Sequence, residues 1–243
     1  MSRISYKKKH EQTALLDGLI LTRLQCINID FYPHIRHNIL MKYDVILAGV
    51  GGQGVLSVAS IIAKAEMNEG LEVRQSEVHG MAQRGGAVLA HMRISDKKIP
   101  VDLVPKGGAD LIIAMEPLES LRYVSYLKPH GALLTAAEPF NNIPNYPDID
   151  GIHSSIKKLP QWRIIQSESL AKEAGLAKAV NTVMVGAASC FLPLKANSLE
   201  KTITETFSRK DASIGQANAK AFKLGHHACM EAAGKQATEK KKK

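Results

Sequence analysis

The sequence predicts an α/β fold of three layers: a mainly parallel, Rossmann-like sheet with helices on both faces and a helical C-terminal part. Three observations lead there. Short, nearly continuous apolar runs, the pattern of strands buried on both faces, alternate with stretches of helical periodicity. A glycine-rich loop joins the first such strand to the first such helix. The composition is 45% hydrophobic but only 5% aromatic, and 243 residues can bury a sizeable, mostly aliphatic core. Strand–helix alternation of this kind builds parallel sheets covered on both sides.

Taken in order, Asp44–Ala48 (DVILA) is the first strand and Gly49–Gly54 the glycine loop. Val55, Val58, Ala59, Ile62, Ala63 and Ala65 line one side of a helix over Val55–Met67. Leu71–Ser76 and Ala87–Ile94 read as strands around a second loop, and Asp110–Ala114 (DLIIA) as a further buried strand. Glu116-Pro117-Leu118-Glu119 opens a helix, with proline in the first turn and acids beside the positive dipole end. Ala132–Thr135 and Trp162–Gln166 are later strands. Helices follow over Glu168–Ala174, Asn181–Leu192, Ser198–Phe207 and Ala212–Ala232.

The ends differ in composition from this body. Residues 1–40 read as an N-terminal appendage, unstructured or helical, with apolar residues at Leu15, Leu16, Leu19, Ile20, Leu21 and Leu24. Asp17 interrupts the apolar run a secretory signal needs, and Glu11, Asp17 and Asp30 disfavour a mitochondrial presequence. The domain proper is expected over 41–233, and the lysine-rich segment 234–243 is expected to be a disordered tail.

The net charge of +9 concentrates at these ends: +3 in residues 1–40, +4 in 234–243, and only +2 between them. A nucleic-acid groove would carry its excess on the folded body, so nucleic-acid binding is not expected. No apolar run approaches the ~18–20 residues of a membrane span. Three cysteines, Cys26, Cys190 and Cys229, form no C-x-x-C pair. That excludes a disulfide framework, a zinc ribbon or an iron–sulfur cluster ligated by this chain's cysteines alone, and suits a reducing, cytoplasmic setting.

Two loops carry the functional signal. Gly49-Val50-Gly51-Gly52-Gln53-Gly54 fits G-x-G-x-x-G between a strand and a helix, the context in which backbone amides at a helix start meet an anion. Val55 and Leu56 occupy the positions where a Walker loop needs Lys and Ser/Thr, so it is not one. Glu77 stands near the place of the ribose-binding acid of a Rossmann site, about 20 residues on, but another unusual loop follows it at once. A phosphate site and a close-packing turn both remain open for this loop. The second loop, Ser76-Glu77-Val78-His79-Gly80-Met81-Ala82-Gln83-Arg84-Gly85-Gly86, sets an acid, an imidazole, an amide and a guanidinium among glycines. Its bland reading is a solvated loop with a Glu77–Arg84 pair, worth about 0–1 kcal/mol at a surface. Its functional reading is a site built on a loop between rigid strands.

Together these two segments resemble the paired signatures of the gamma-type subunits of 2-oxoacid:ferredoxin oxidoreductases, and among them the small (beta) subunits of indolepyruvate ferredoxin oxidoreductases. His91-Met92-Arg93-Ile94, Gly108-Ala109-Asp110-Leu111 and Asn181-Thr182-Val183-Met184-Val185-Gly186-Ala187 extend the resemblance from about Met41 to about Ala233. It implies an accessory subunit, inactive alone, of an enzyme that oxidatively decarboxylates an arylpyruvate such as indolepyruvate. Coenzyme A takes the acyl group and electrons pass to ferredoxin. Thiamine diphosphate, magnesium and iron–sulfur clusters are then expected on a larger partner subunit, with no metal and no catalytic residue in this chain. Gly49, Gly51, Gly52, Gln53, Gly54, Glu77, His79, Gly80, Gln83, Arg84, Gly85 and Gly86 would face cofactor, substrate or partner. Arg84 would meet a carboxylate or phosphate. Glu77 would fix Arg84 or a partner side chain, and His79 would donate a hydrogen bond.

Other candidates weigh less. His226-His227 are adjacent and point about 100° apart, a poor metal pair. His34 and His37 lack a third ligand, and Ser57 lacks a neighbouring base. Cys190 reads as a small core residue. Glu116 and Glu119 suit helix-start electrostatics rather than acid–base catalysis. The competing functions are an autonomous Rossmann-type oxidoreductase using NAD(P) or a flavin, which rests on the first loop, and a nucleotide-binding or scaffold module.

Overall fold

Lys42–Val50 forms β1, whose seven consecutive buried residues explain why its sequence reads as an unbroken apolar run. A computed structural model describes residues 41–77, 85–141, 143–209 and 211–241; side chains at 235 and 237–241 and the N-terminal appendage, 1–40, lie outside the described residues. After β1 come α1 (Val55–Asn68), β2 (Glu72–Glu77), β3 (Ala87–Ser95), β4 (Ala109–Ala114), α2 (Pro117–Arg122) and β5 (Leu127–Ala136). Then follow α3 (Ile149–Ile156), β6 (Gln161–Ile165), α4 (Ser167–Glu173), α5 (Val180–Ala188), α6 (Ala196–Ser208) and α7 (Ala212–Lys241).

The six strands make one sheet in the order β2-β3-β1-β4-β5-β6. The pairs β1–β4, β4–β5 and β5–β6 are parallel, and β3 runs against both β1 and β2. Five strands therefore point one way, as the mainly parallel expectation has it. The exception, β3, is an inner strand.

Side-chain alternation divides the sheet's two faces. Val45 and Leu47 of β1, Leu111 and Ile113 of β4, and Leu134 and Ala136 of β5 enter a large core beneath α1, α4, α5, α6 and α7. Their neighbours Ile46, Ile112 and Leu133 enter a smaller core covered by Ile152 and Ile156 of α3 and flanked by Leu118 and Leu121 of α2. The expected three layers are present.

The differences from the sequence reading have local causes. Helix α3 is eight residues long, too short for a clear period, and starts where the Asp148 carboxylate accepts the Gly151 N–H at 3.0 Å. Strand β5 begins at Leu127, five residues before the predicted Ala132, because polar residues and Pro129 open it beside a register shift between Ala109 and Leu111. Helix α5 ends at Ala188 rather than Leu192, in a turn where Phe191 N–H bonds to the Ala188 carbonyl. Helix α7 continues past Ala232 to Lys241, into the segment expected to be a tail, and Gln236 is buried with its Oε1 accepting from Arg163 Nη1 at 2.6 Å.

A charged cluster closes the sheet end opposite the glycine loop. Fully buried Asp44 accepts from Arg93 Nε at 2.8 Å, and Arg93 Nη1 donates to the Val101 and Leu103 carbonyls at 2.8 and 3.3 Å. This pairing pins the long β3–β4 connection under the sheet.

Candidate functional site

Adjacent strands β1 and β4 lead into helices on opposite faces, α1 over the large core and α2 over the small one. This is the switch point of an open α/β sheet, where a crevice forms outside the carboxyl ends of the strands. The first glycine loop lies there. Gly54 caps α1 in the left-handed region (φ 77°), and its carbonyl accepts the Ser57 and Val58 amides. Gly52, at φ 103°, has open space where a Cβ would stand.

The two readings left open for this loop divide by residue. A Cβ on Gly49 would lie 2.8 Å from Val55 Cγ2 and 3.1 Å from Met115 Cβ, and one on Gly54 would lie 2.2 Å from Asn181 Nδ2. Both glycines serve close packing of strand, helix and α5. The Gln53 amide fills the turn from inside: Oε1 accepts Val50 N–H at 2.8 Å and Nε2 donates to the Met115 carbonyl at 3.1 Å. The loop's tip at Gly52 is the part that faces outward.

The second loop adjoins the first. Gly51 N–H donates to the Gly86 carbonyl at 2.8 Å, and Gly85 N–H donates to the Gly51 carbonyl at 3.2 Å. The described ends of the second loop, at Glu77 and at Gly85 and Gly86, therefore sit on the same edge of the sheet as the first loop. Glu77 ends β2 opposite Ala90, and Gln75 Nε2 donates to its carboxylate at 3.4 Å. His79, Gly80, Gln83 and Arg84 lie outside the described residues.

Sequence reasoning missed a tie between the residue after β4 and the segment after β5. Glu116 is buried and caps α2 by accepting Glu119 N–H at 2.7 Å, the helix-start role expected of it. Its other oxygen accepts from Phe140 N–H at 3.4 Å and from the Tyr146 hydroxyl. Burial, then the Glu116 carboxylate, push the Tyr146 hydroxyl's pKa up. The proline-flanked segment from Pro139 to Pro147 is thus tied to the end of β4 and bounds a hollow of about 450 Å³. No short-range pattern links Glu116 to a tyrosine 30 residues away.

Among the described residues no group of three His, Cys, Asp or Glu side chains is placed to hold a metal ion. His226 pairs with Ser189 Oγ at 2.8 Å. No helix among the described residues is long and apolar enough to cross a membrane.

A strand–glycine loop–helix at the switch point, a second glycine loop bonded to it and a helical C-terminal layer define an α/β subunit of the gamma type. A family model of pyruvate ferredoxin/flavodoxin oxidoreductases matches residues 44–228, and the chain belongs to this family. The indolepyruvate oxidoreductase subunit IorB of Archaeoglobus fulgidus is 37% identical over 198 residues, 77% of this chain and 95% of that protein. Its counterpart from Pyrococcus horikoshii is 35% identical over 202 residues, 79% of this chain and 98% of the relative. The solved keto/oxoacid ferredoxin oxidoreductase gamma subunit from Geobacter sulfurreducens aligns at TM-score 0.59 and 25% identity, over 78% of this chain and 99% of that one. A 2-oxoglutarate:ferredoxin oxidoreductase from Magnetococcus marinus, solved with 2-oxoglutarate, coenzyme A and succinyl-CoA bound, shares the fold. Its TM-score is 0.63 at 23% identity, over 78% of this chain and 31% of that one. The resemblance to gamma-type subunits is borne out.

Proposed function

We propose that this chain is the small subunit of a cytoplasmic, heteromeric arylpyruvate:ferredoxin oxidoreductase, with indolepyruvate as the representative substrate. The complex converts the 2-oxo acid and coenzyme A to acyl-CoA and carbon dioxide and passes two electrons on to ferredoxin. Thiamine diphosphate with magnesium supplies the decarboxylation chemistry when bound in the larger subunit, which also carries the iron–sulfur clusters. This chain's part is to form a wall of the site. The observation that carries the reading is the Gly51–Gly86 and Gly85–Gly51 bonding, which makes one face of two loops at the switch point.

On that face the second loop provides the charge. Arg84 meets a carboxylate or phosphate with its planar fork, Glu77 fixes Arg84 or a partner side chain, and His79 donates a hydrogen bond. The backbone at Gly52 allows close approach, while Gln53 and Glu116 hold the surrounding walls still. No group of this chain makes or breaks a substrate bond.

The test is anoxic reconstitution with the larger subunit. Arylpyruvate- and coenzyme A-dependent reduction of a viologen dye is expected from the pair and from neither subunit alone. Turnover by this chain unaided, or a pair as inactive as its parts, overturns the reading.

A further inference from the structure

Helices α5 and α7 touch through glycine. A Cβ on Gly186 would lie 2.1 Å from the Phe222 carbonyl oxygen, and one on Gly225 would lie 2.0 Å from that of Val183. Thr182 Oγ1 donates to Asn218 Oδ1 at 2.6 Å and, further along both chains, Ser189 Oγ pairs with His226, so the two helices run side by side in one direction. Cys190 stands four residues after Gly186, and Cys229 four residues after Gly225. The turn that follows α5 carries Cys190 onto α7, and Cys229 shares a face of α7 with Gly225, so both cysteines lie along the line where the two helices meet. Cys190 Sγ reaches α7 itself, 3.6 Å from the His226 carbonyl oxygen, one turn before Cys229.

The surroundings are those of a reactive pair. The Ser189 hydroxyl donates to the Gly186 carbonyl at 2.6 Å, so its oxygen accepts from His226 Nδ1–H, and that N–H also faces Cys190 Sγ at 3.6 Å. The Arg163 guanidinium stands beside Cys229, and its Nε is buried with no hydrogen-bond acceptor among the described residues. The Cys190 sulfur thus faces a nitrogen donor that a thiolate would satisfy. Cys190 is half-buried and Cys229 is buried at 1% exposure, so the pair opens toward solvent through Cys190. The Cys229 side chain and burial push the Cys190 thiol up, whereas Cys190 and Arg163 pull Cys229 down against its burial.

We propose that Cys190 and Cys229 form a reversible dithiol–disulfide site, closed by a peroxide and reopened by thiols, that locks α5 to α7. One sulfur, as thiolate, attacks a peroxide oxygen; the O–O bond breaks and a sulfenic acid forms. The second sulfur attacks the first, the S–S bond forms and the S–O bond breaks. Both thiol protons leave on the two departing oxygens as water. The sulfurs lose two electrons and one hydrogen peroxide is reduced to two waters. This site lies apart from the glycine-loop face and stands whether or not the arylpyruvate reading does.

The experiment treats the full chain with hydrogen peroxide at neutral pH and maps its peptides before and after dithiothreitol. The expected result is loss of two of the three thiols, a mass decrease of about 2 Da, a single Cys190–Cys229 peptide, and full reversal by dithiothreitol. The same treatment of urea-unfolded chain is expected to scatter the linkage among all three cysteines. Closure onto Cys26 in the folded chain, oxidation to sulfinic acid without a disulfide, or equal pairing in the folded and unfolded chains would overturn the proposal. A Cys26→Ser chain is expected to close as the unaltered chain does, and its failure to do so would also count against it.

Discussion

Gly51 and Gly86 face each other across the ends of β1 and β3, the Gly51 N–H donating to the Gly86 carbonyl at 2.8 Å. This one bond, with its neighbour from Gly85, turns two loops separated by more than thirty residues into a single surface. It also occupies a backbone amide that a dinucleotide loop of this pattern would leave for its ligand. The amide's commitment counts against an autonomous nicotinamide- or flavin-binding module, as does the family to which the chain belongs.

Replacing Arg84 by Ala tests the proposal that the second loop brings a positive charge to that surface. The isolated chain is expected to keep its melting temperature, while the reconstituted pair loses about tenfold or more in turnover or in affinity between subunits, as removal of a bidentate charged contact does. Unchanged assembly and turnover would remove Arg84 from the site.

Gln53→Ala strips two groups of their partner at once, the Val50 N–H and the Met115 carbonyl. A loss of about 1–3 kcal/mol is expected in urea titration, because buried polar groups left unmatched carry their desolvation cost. Turnover of the pair should fall along with it, since the loop tip at Gly52 then has no internal strut.

Two glycines of α7 should respond in opposite directions to the same substitution. Gly225→Ala drives a methyl group into the Val183 carbonyl, and overpacking against a backbone that cannot yield should cost ~3 kcal/mol. Gly234→Ala meets nothing within 4 Å and should stabilise by about 0.5–1 kcal/mol through helix propensity alone. Circular-dichroism melts of the two variants give the comparison.

Glu66 sets a pH dependence. It is fully buried, neither of its carboxylate oxygens has a partner among the described residues, and burial pushes its pKa up to about 8. The folded chain therefore holds a proton there that the unfolded chain releases near pH 4.5. The stability is present in full below about pH 4.5, declines as pH rises, and is lost by the time pH passes about 8. Glu66→Gln is expected to flatten that decline, worth on the order of 3 kcal/mol across the window. Parallel curves for the two chains in urea at pH 5, 7 and 9 would refute it.

Arg93→Met should cost about 3–5 kcal/mol, since it leaves Asp44 charged and buried with Lys42 as its remaining cation, and frees the Val101 and Leu103 carbonyls. Differential scanning calorimetry reads the shift.

What the chain spells out locally, it spells out well. The apolar runs DVILA and DLIIA are visible as buried strands because both of their faces are covered, and Gly49–Gly54 is visible as a strand-to-helix loop because its glycines meet local steric needs. Helix α3, the early start of β5 and the true end of α7 were not legible, because short length, a bulge and a long-range contact from Gln236 to Arg163 decide them. The site divides the same way. Its two glycine loops can be recognised from sequence, whereas their junction at Gly51–Gly86, the Glu116–Tyr146 tie and the Cys190–His226 contact exist only once strands and helices pack. Residue order determines which turns and faces a segment can form, because those depend on neighbours a few positions away. Which of these faces meet is settled by burial across the whole sheet, a property that no short stretch of the chain contains.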